Sequence, residues 1–453
     1  MPRSPKEVLK DFGETTTAHG IGKLVGSKHP IRKTVWLVLL CVCFGYVIYQ
    51  IKELCGQYKE HQITVMSHAE RKKEIPFPGV TVCNLNPVRK SKIIEHNLTE
   101  LLKPSGPNAI GQVEMRNKLM SMVMGMNATT RTELGHQEKD FIFGCYWLGQ
   151  PCNTSFEQIF TPEYGNCFTF NSGKLHDLAV TEAGDTEGLS LLLNTEQWDY
   201  MGAVSPSIGA IVDVHHPDDI EVPAVRGITV SPGQATSIGL VLGSMYRLDS
   251  PYSKTGCKSI DTPTIYKNKI YSAEACYRGC LIAKSLEKCG CVESRMQVGL
   301  TAQTCDPFNK TLRKCIEEVV DFNSCSCPPA CREMKFEFSA STSVWPSEPY
   351  WTFLKEAYDS RNTSRSFASF PDSRGNLLAV NIFFKDMSIT IKTETFSYEF
   401  SNLVADVGGQ LGLFVGMSVL SIMEYWELLI DLGTALLRRD KTLRVAVASK
   451  PET

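Results

Sequence analysis

The sequence predicts an α+β membrane protein in which a disulfide-rich, β-cored domain is held between two transmembrane helices, one near each end of the chain. Three observations predict it. The run Thr34 to Ile51 carries no charge over 18 positions, long enough to cross a bilayer as a helix. A second apolar segment, rich in glycine, runs from Leu403 to about Met423. Between them lie 14 of the 17 cysteines, Cys83 through Cys331, and five N-x-S/T sequons at Asn97, Asn127, Asn153, Asn309 and Asn362. Cysteine pairing and glycan acceptors belong to the oxidising side of a membrane, so both tails are expected in the cytoplasm. Arg32 and Lys33 before the first span, and Arg438, Arg439, Lys441 and Arg444 after the second, obey the positive-inside rule.

The expected order is a cytoplasmic tail (1–33), a first span (34–52), an extracellular domain (53–402), a second span (403–432) and a cytoplasmic tail (433–453). A signal peptide fits residues 34–51 poorly, because a long tail precedes them and no small-residue cleavage site follows Gln50-Ile51-Lys52-Glu53. Phe77 to Asn84 reads as a strand, with β-branched residues, a proline at its start and a cysteine inside. Over 105–130, Met115, Leu119, Met122, Val123 and Met126 recur at helical spacing and predict a Met-packed amphipathic helix. Alternation returns from Cys167 to Leu248, as in Ile208-Gly209-Ala210-Ile211-Val212-Asp213-Val214-His215, and predicts a sheet. Residues 272–331 hold nine cysteines among short helical stretches, where cross-links must supply stability. Pro349 to Arg361 reads as a helix, and Leu377 to Ile391 as a strand leading into the second span. A net charge of −2 gives no reason to expect a nucleic-acid partner.

Two patterns imitate metal sites. Cys276, Cys280, Cys289 and Cys291, with Cys325, Cys327 and Cys331, have zinc-like spacing, but no histidine accompanies them and an extracellular thiolate site competes with oxidation. His215-His216-Pro217-Asp218-Asp219 has a metal-like composition, yet adjacent strand residues point to opposite faces. No metal, cofactor or catalytic residue is therefore expected. An ectoenzyme reading lacks both a phosphate-cradling loop and a nucleophile with its base.

The second span carries the chemistry. Gly409, Gly412 and Gly416 fall on one helical stripe with Asp406 near it, a pattern that lets membrane helices pack closely. Glu424, Glu427 and Asp431 follow at helical spacing on one face of what reads as the same helix. Ionised groups in a span usually face water, so the acidic face suits a cation pathway. One helix cannot enclose a pore, so copies must surround it.

These residues resemble a family. Gly408-Gly409-Gln410-Leu411-Gly412-Leu413-Phe414, then Gly416 and Ser418, is similar to the pore helix of the degenerin/epithelial sodium channels. His19-Gly20 resembles that family's cytoplasmic gating motif. Phe77 to Asn86, Tyr164 to Asn171, and Cys325, Cys327 and Cys331 resemble its extracellular signatures, and the acid-sensing and bile-acid-sensitive branch is closest. The resemblance implies a trimer, homomeric or with related subunits, that conducts sodium, is blocked by amiloride and opens to an extracellular stimulus, protons first, with a peptide, a bile acid or constitutive opening as alternatives. An ATP-gated two-pass channel shares the plan but not Gly416-x-Ser418. By position, the resemblance implies a finger (about 88–145), a thumb (about 257–331) and a knuckle (about 349–370), besides a palm and β-ball. It assigns the selectivity filter to Gly416, Met417 and Ser418, and the gate and pore to Ala405, Asp406, Gly409, Gly412 and Leu413. It makes Asp218, Asp219, Glu317 and Asp321 the candidate proton sensor. It pairs Cys83–Cys167, Cys145–Cys152, Cys257–Cys331, Cys276–Cys327, Cys280–Cys325, Cys289–Cys315 and Cys291–Cys305, leaving Cys41, Cys43 and Cys55 as thiols. The chain departs from the acid-sensing pattern at Met417, where alanine is usual, at Gln62-Ile63 in place of a His-His pair, and at Asn381 in place of an aspartate.

Overall fold

The computed structural model describes residues 4–448 except 99–108, 154, 174–177, 203, 254–255, 267, 294–295, 297–301, 307–308, 320–324, 361–366 and 368. Asp321 and Asn362 lie outside the described residues, as do the side chains from position 438 onward. Two compact units result, Met1–Thr64 with Thr395–Thr453, and Val65–Glu394.

The chain opens with α1 (Pro5–Thr15), α2 (Ile21–Gly26) and α3 (Pro30–Lys59), then β1 (Ile63–Arg71), β2 (Ile75–Pro76) and β3 (Gly79–Asn84). Four helices follow: α4 (Lys90–Glu95), α5 (Ala109–Met124), α6 (Ala128–Leu134) and α7 (Glu138–Phe141). Next come β4 (Ile142–Trp147), β5 (Gln150–Pro151), β6 (Glu157–Thr161), β7 (Gly165–Phe170), β8 (Ala179–Val180), β9 (Leu189–Asn194) and β10 (Ala210–His215). After α8 (Pro223–Arg226), β11 (Ile228–Val230) and β12 (Gln234–Tyr246) lie α9 (Ala273–Cys289) and α10 (Lys310–Val319). The chain ends with β13 (Arg332–Val344), α11 (Glu348–Asp359), α12 (Phe370–Arg374), β14 (Leu377–Phe396), α13 (Phe400–Val415) and α14 (Val419–Ala448).

In the first unit, α3 is long and apolar enough to cross a membrane, while α13 and α14 as far as Leu437 pass that test only as a pair bent by 76°. Val47 is the one buried residue of α3, and Val35, Leu37, Leu39, Val42 and Ile48 stand exposed. So much uncovered apolar surface calls for lipid or other subunits around it. Tyr46 packs edge-on against Phe414, ring centroids 4.7 Å apart, which seats α3 on α13.

The second unit holds two large sheets over one core, with the two-stranded sheet β2-β8 beside them. The larger is mixed, ordered β13-β12-β14-β9-β4-β5 with β1 on β14, and β12 runs parallel to β14. The smaller, β11-β10-β3-β7-β6, is antiparallel wherever it pairs. Alternation builds the shared core: Leu189, Leu191 and Leu193 from β9, Ile238, Leu240 and Leu242 from β12, and Leu378, Val380, Ile382 and Phe384 from β14. They meet Val80 and Val82 of β3 and Phe168 and Phe170 of β7, all buried. Cys83 lies directly opposite Cys167 in the β3–β7 register, with Cα atoms 4.4 Å apart, which suits a bridge across the pair.

Helix α5 buries Met115, Leu119 and Val123, but Met122 faces outward and Met120 and Met124 point in. The expected stripe was therefore rotated by part of a turn, because methionines stand on both faces and leave the phase open. Around α9 and α10 the apolar clusters are small, and five disulfides staple the segment. Cys276 and Cys280, one turn apart on α9, bind Cys327 and Cys325; Cys289 ties α9 to Cys315 of α10. Cys257–Cys331 closes the segment at its base, and Cys145–Cys152 and Cys291–Cys305 complete the seven bridges.

Where β3 leaves the core, buried side chains pair the backbone. Asn86 Oδ1 accepts from Met201 N–H at 3.2 Å and from the Ser205 hydroxyl at 2.8 Å. Its Nδ2 donates to Val88 O at 2.6 Å and lies 3.0 Å from His136 Nε2. His136 Nδ1 in turn meets Glu196 Oε2 at 2.7 Å, both side chains almost wholly buried. Asn86→Leu therefore leaves several buried groups without partners, at about 1–3 kcal/mol each. The expected outcome is a clear fall in melting temperature of the detergent-solubilised full-length protein; an unchanged melt means the network is dispensable.

Candidate functional site

The glycine stripe is interrupted. Helix α13 stops at Val415, and Gly416 takes a left-handed conformation (φ 64°), an ordinary way for glycine to end a helix. Gly416 therefore does not continue the stripe of Gly409 and Gly412, and Glu424, Glu427 and Asp431 belong to a separate helix, α14. Ser418 and Ser421 cap the start of α14 reciprocally: Ser421 N–H reaches Ser418 Oγ at 3.3 Å, and Ser418 N–H reaches Ser421 Oγ at 3.2 Å. The periodicity could not show the break, since glycine is as common in membrane helices as in the turns that end them.

The N-terminal motif closes on this break. His19 Nδ1 lies 3.3 Å from Gly416 O, and a Cβ added at Gly416 would stand 2.0 Å from the same nitrogen. Gly416 is thus required twice, for its positive φ and for the imidazole against it. Gly20, at φ 87°, turns the chain from His19 into α2. Phe12 of α1 rests on Tyr425 of α14, ring centroids 5.1 Å apart.

The acids part company. One oxygen of Glu424, Oε2, accepts from Thr16 Oγ1 at 2.8 Å and from Thr17 N–H at 2.9 Å, whereas Glu427 and Asp431 are exposed. Asp406 Oδ2 accepts from the Tyr398 hydroxyl at 2.6 Å. Along α13, Ala405, Gly408, Gly409, Gly412 and Leu413 are left uncovered, and a Cβ at Gly408 or Gly409 would meet nothing within 4 Å.

In the second unit, Asp219 is not an open carboxylate. It is 7% exposed, and Arg226 Nη1 meets its Oδ2 at 2.7 Å while Ser272 donates to its Oδ1 at 2.7 Å. Arg226 also faces the fully buried Asp213, Nε to Oδ1 3.4 Å. Burial pushes the Asp219 carboxyl up, but the Arg226 charge and the bonds from Arg226 and Ser272 outweigh it and hold the group below its ordinary range. Burial likewise opposes the charge on Arg226, and Asp213 and Asp219 more than offset it. Ser272 caps α9 as well, accepting from Ala275 N–H at 3.2 Å, so Asp219 ties the β10–α8 loop to that helix. Asp218 is partly exposed beside His216, and Glu317 is exposed, 3.6 Å from Arg313 on its own helix. Arg226, absent from the sequence reading, was signalled only by a cation seven residues after Asp219.

The chain combines an apolar helix, a helix pair broken at Gly416 and a disulfide-rich domain with a mixed β-sheet core, and the family it matches makes it a subunit of an oligomeric membrane cation channel. The family model described as "Amiloride-sensitive sodium channel" matches residues 12–428, and the chain belongs to that family. It is 24% identical to degenerin-like protein asic-2 of Caenorhabditis elegans, covering 94% of this chain and 87% of that one. It is 26% identical to the FMRFamide-activated amiloride-sensitive sodium channel of Cornu aspersum (97% and 85% covered) and 26% identical to acid-sensing ion channel 4 of Rattus norvegicus (97% and 82%). The family is one of ion channels and not of enzymes.

Arg226→Leu strands Asp213 and Asp219 in a buried site, at a cost of about 3–5 kcal/mol. Because Asp219 is held ionised by its partner, its stabilising effect is present above the ordinary carboxylate range and is lost only as pH falls through the lowered value. The variant's deficit should therefore shrink on acidification, as protonation relieves the stranded charges. Thermal melts of both proteins across a pH series check it; a deficit independent of pH would place the cost elsewhere.

Proposed function

We propose that three copies of this chain form a sodium-selective, amiloride-blockable channel with two spans per subunit and both termini cytoplasmic. The observation that carries it is the helix break at Gly416–Ser418, an interruption of the regular backbone between two helices that together are long and apolar enough to span a membrane. Irregular backbone at that depth is tolerated only where it is buried in protein or lines water. The uncovered face of α13, with Ala405, Gly409, Gly412 and Leu413, lines the pore when copies surround an axis, and Glu427 and Asp431 face the cytoplasmic side of the path.

The opener is extracellular, and we take it to be protons, acting on Asp218, Glu317 and Asp321. Asp219 is left out, because its carboxyl is committed to Arg226 and Ser272. A second reading, a small peptide or amphiphilic anion as opener, is favoured by a cavity of about 510 Å³. Tyr271, Phe336, Arg332, Lys335 and Glu337 are among its lining residues.

Four outcomes test the reading. Ser418→Cys should erode sodium-over-potassium preference in reversal-potential recordings; full current with an unchanged reversal potential removes the break from the filter. Ala405→Phe, at the mouth-proximal end of the uncovered face, should raise resting current at normal surface expression. A pH-step recording, with and without amiloride, should show a blockable inward current. Neutralising Asp218, Glu317 and Asp321 together should move its midpoint to more acidic values, and silence at every pH would favour the peptide or anion.

A further inference from the structure

Helix α5 ends in Met120-Ser121-Met122-Val123-Met124, and Gly125-Met126 follow. Helical geometry divides these methionines between faces, since residues two apart do not share one. Met115, Met120 and Met124 are at most 5% exposed, whereas Met122 is 41% exposed. We propose that Met122 is a site of reversible oxidation by a peroxide-class oxidant, and that its sulfoxide tightens the seam between α5 and the loop 302–306. The inference rests on reading residues 53–402 as extracellular, on the oxidising side of the membrane.

Met122 lines a cavity of about 470 Å³ with Lys118 and Ser121 of its own helix and with Gln303, Thr304 and Asp306 of the loop. The seam is already tied at one point, where the Ser121 hydroxyl donates to Cys305 O at 3.4 Å. The loop side is firm. Cys305 N–H reaches Val292 O at 2.9 Å, Val292 N–H reaches Gln303 O at 2.8 Å, and the Cys291–Cys305 bridge closes the same turn of chain. Val292 is fully buried with Leu281 and Ile282 of α9. A change in the grip on 302–306 is therefore carried into α9.

The step is a two-electron oxygen transfer. A lone pair on the Met122 sulfur attacks one peroxide oxygen, the O–O bond breaks as the S–O bond forms, and the proton of the transferred oxygen leaves with the departing hydroxide as water. Sulfur is oxidised and peroxide is reduced. An apolar, flexible side chain thereby gains a polar oxygen that accepts hydrogen bonds. Lys118 stands one turn before Met122 on the same face, and Gln303 and Thr304 stand on the loop, so donors line both sides of the cavity. The other methionines of α5 are not so placed. Met115 and Met120 pack in the apolar cluster with Leu119, Val123 and Leu134. Met124 borders the same cavity, but it is buried and its sulfur accepts from Arg131 Nη1 at 3.7 Å.

Peptide mass mapping of the detergent-solubilised full-length protein, after brief exposure to dilute hydrogen peroxide, tests the site. Met122 should gain one oxygen at least about tenfold faster than Met115, Met120 and Met124, because oxidation follows exposure. Equal rates overturn the proposal. Met66, exposed on β1, serves as a second reactive methionine away from the seam. In cells expressing the chain alone, peroxide should lower the current evoked by a pH step about twofold or more, the scale of one added hydrogen bond resisting movement of α9. Methionine sulfoxide reductase applied outside should restore that current. Met122→Leu should keep its current under peroxide, while Met66→Leu should lose it as the unaltered chain does. Met122→Gln, with a permanent polar group, should show the lowered current without peroxide. An unchanged current after Met122 is oxidised, or a loss that persists in Met122→Leu, overturns the coupling to the seam. A chain silent at every pH speaks against protons as the opener and leaves the site to be decided by the mass map.

Discussion

The amide of Asn86 is where the β-core, the helical insertion and the 196–205 loop are held to one another. Its oxygen is taken by two donors, so its NH₂ must face both Val88 O and the imidazole of His136. That orientation makes Nε2 of His136 an acceptor and leaves the proton on Nδ1, toward Glu196. The chain entering the insertion at Val88 and the chain leaving it at His136 are thereby registered against the core by one side chain. Buried backbone groups that leave a sheet must find partners, and here asparagines supply them: Asn84 donates to Thr195 O, and Asn166 to Thr132 O and His136 O.

The membrane unit solves a related problem by different means. Ending a helix inside a span frees N–H and C=O groups that lipid cannot satisfy. Capping by Ser418 and Ser421 returns some of those bonds, and His19 approaches the carbonyl of Gly416. The N-terminal tail is in this sense part of the same unit as the broken helix pair, placed there by hydroxyls and one aromatic contact.

Charge is handled by pairing in the second unit. Asp213, Arg226 and Asp219 form a nearly closed triad, and its outer member also holds the cap of α9. A segment with small apolar clusters and five disulfides is thus joined to the β10–α8 loop by an ionic link as well as by its covalent base at Cys257–Cys331. Breaking a buried pair costs more than making it gains, so the triad constrains this joint more than it stabilises the fold.

Much was legible before any coordinates. Charge-free length gave the first apolar helix, and period-two alternation gave the strands around Ile208–His215 and Leu377–Ile391, because burial of one face demands it. The family could be read from short motifs in fixed order. What composition and spacing could not supply were relations across long sequence separations. The bonding partner of each cysteine is among them, as are the approach of His19 to Gly416 and the capture of Asp219 by Arg226. The phase of α5 was open because methionine tolerates either face. The break between α13 and α14 was open because glycine permits both a helix and its end. The sequence by itself determined which segments are apolar, which are strands and which residues are chemically able to conduct or titrate. Only the tertiary structure decided which of those groups are already spent on one another, because a hydrogen bond or an ion pair depends on distance in space and not along the chain.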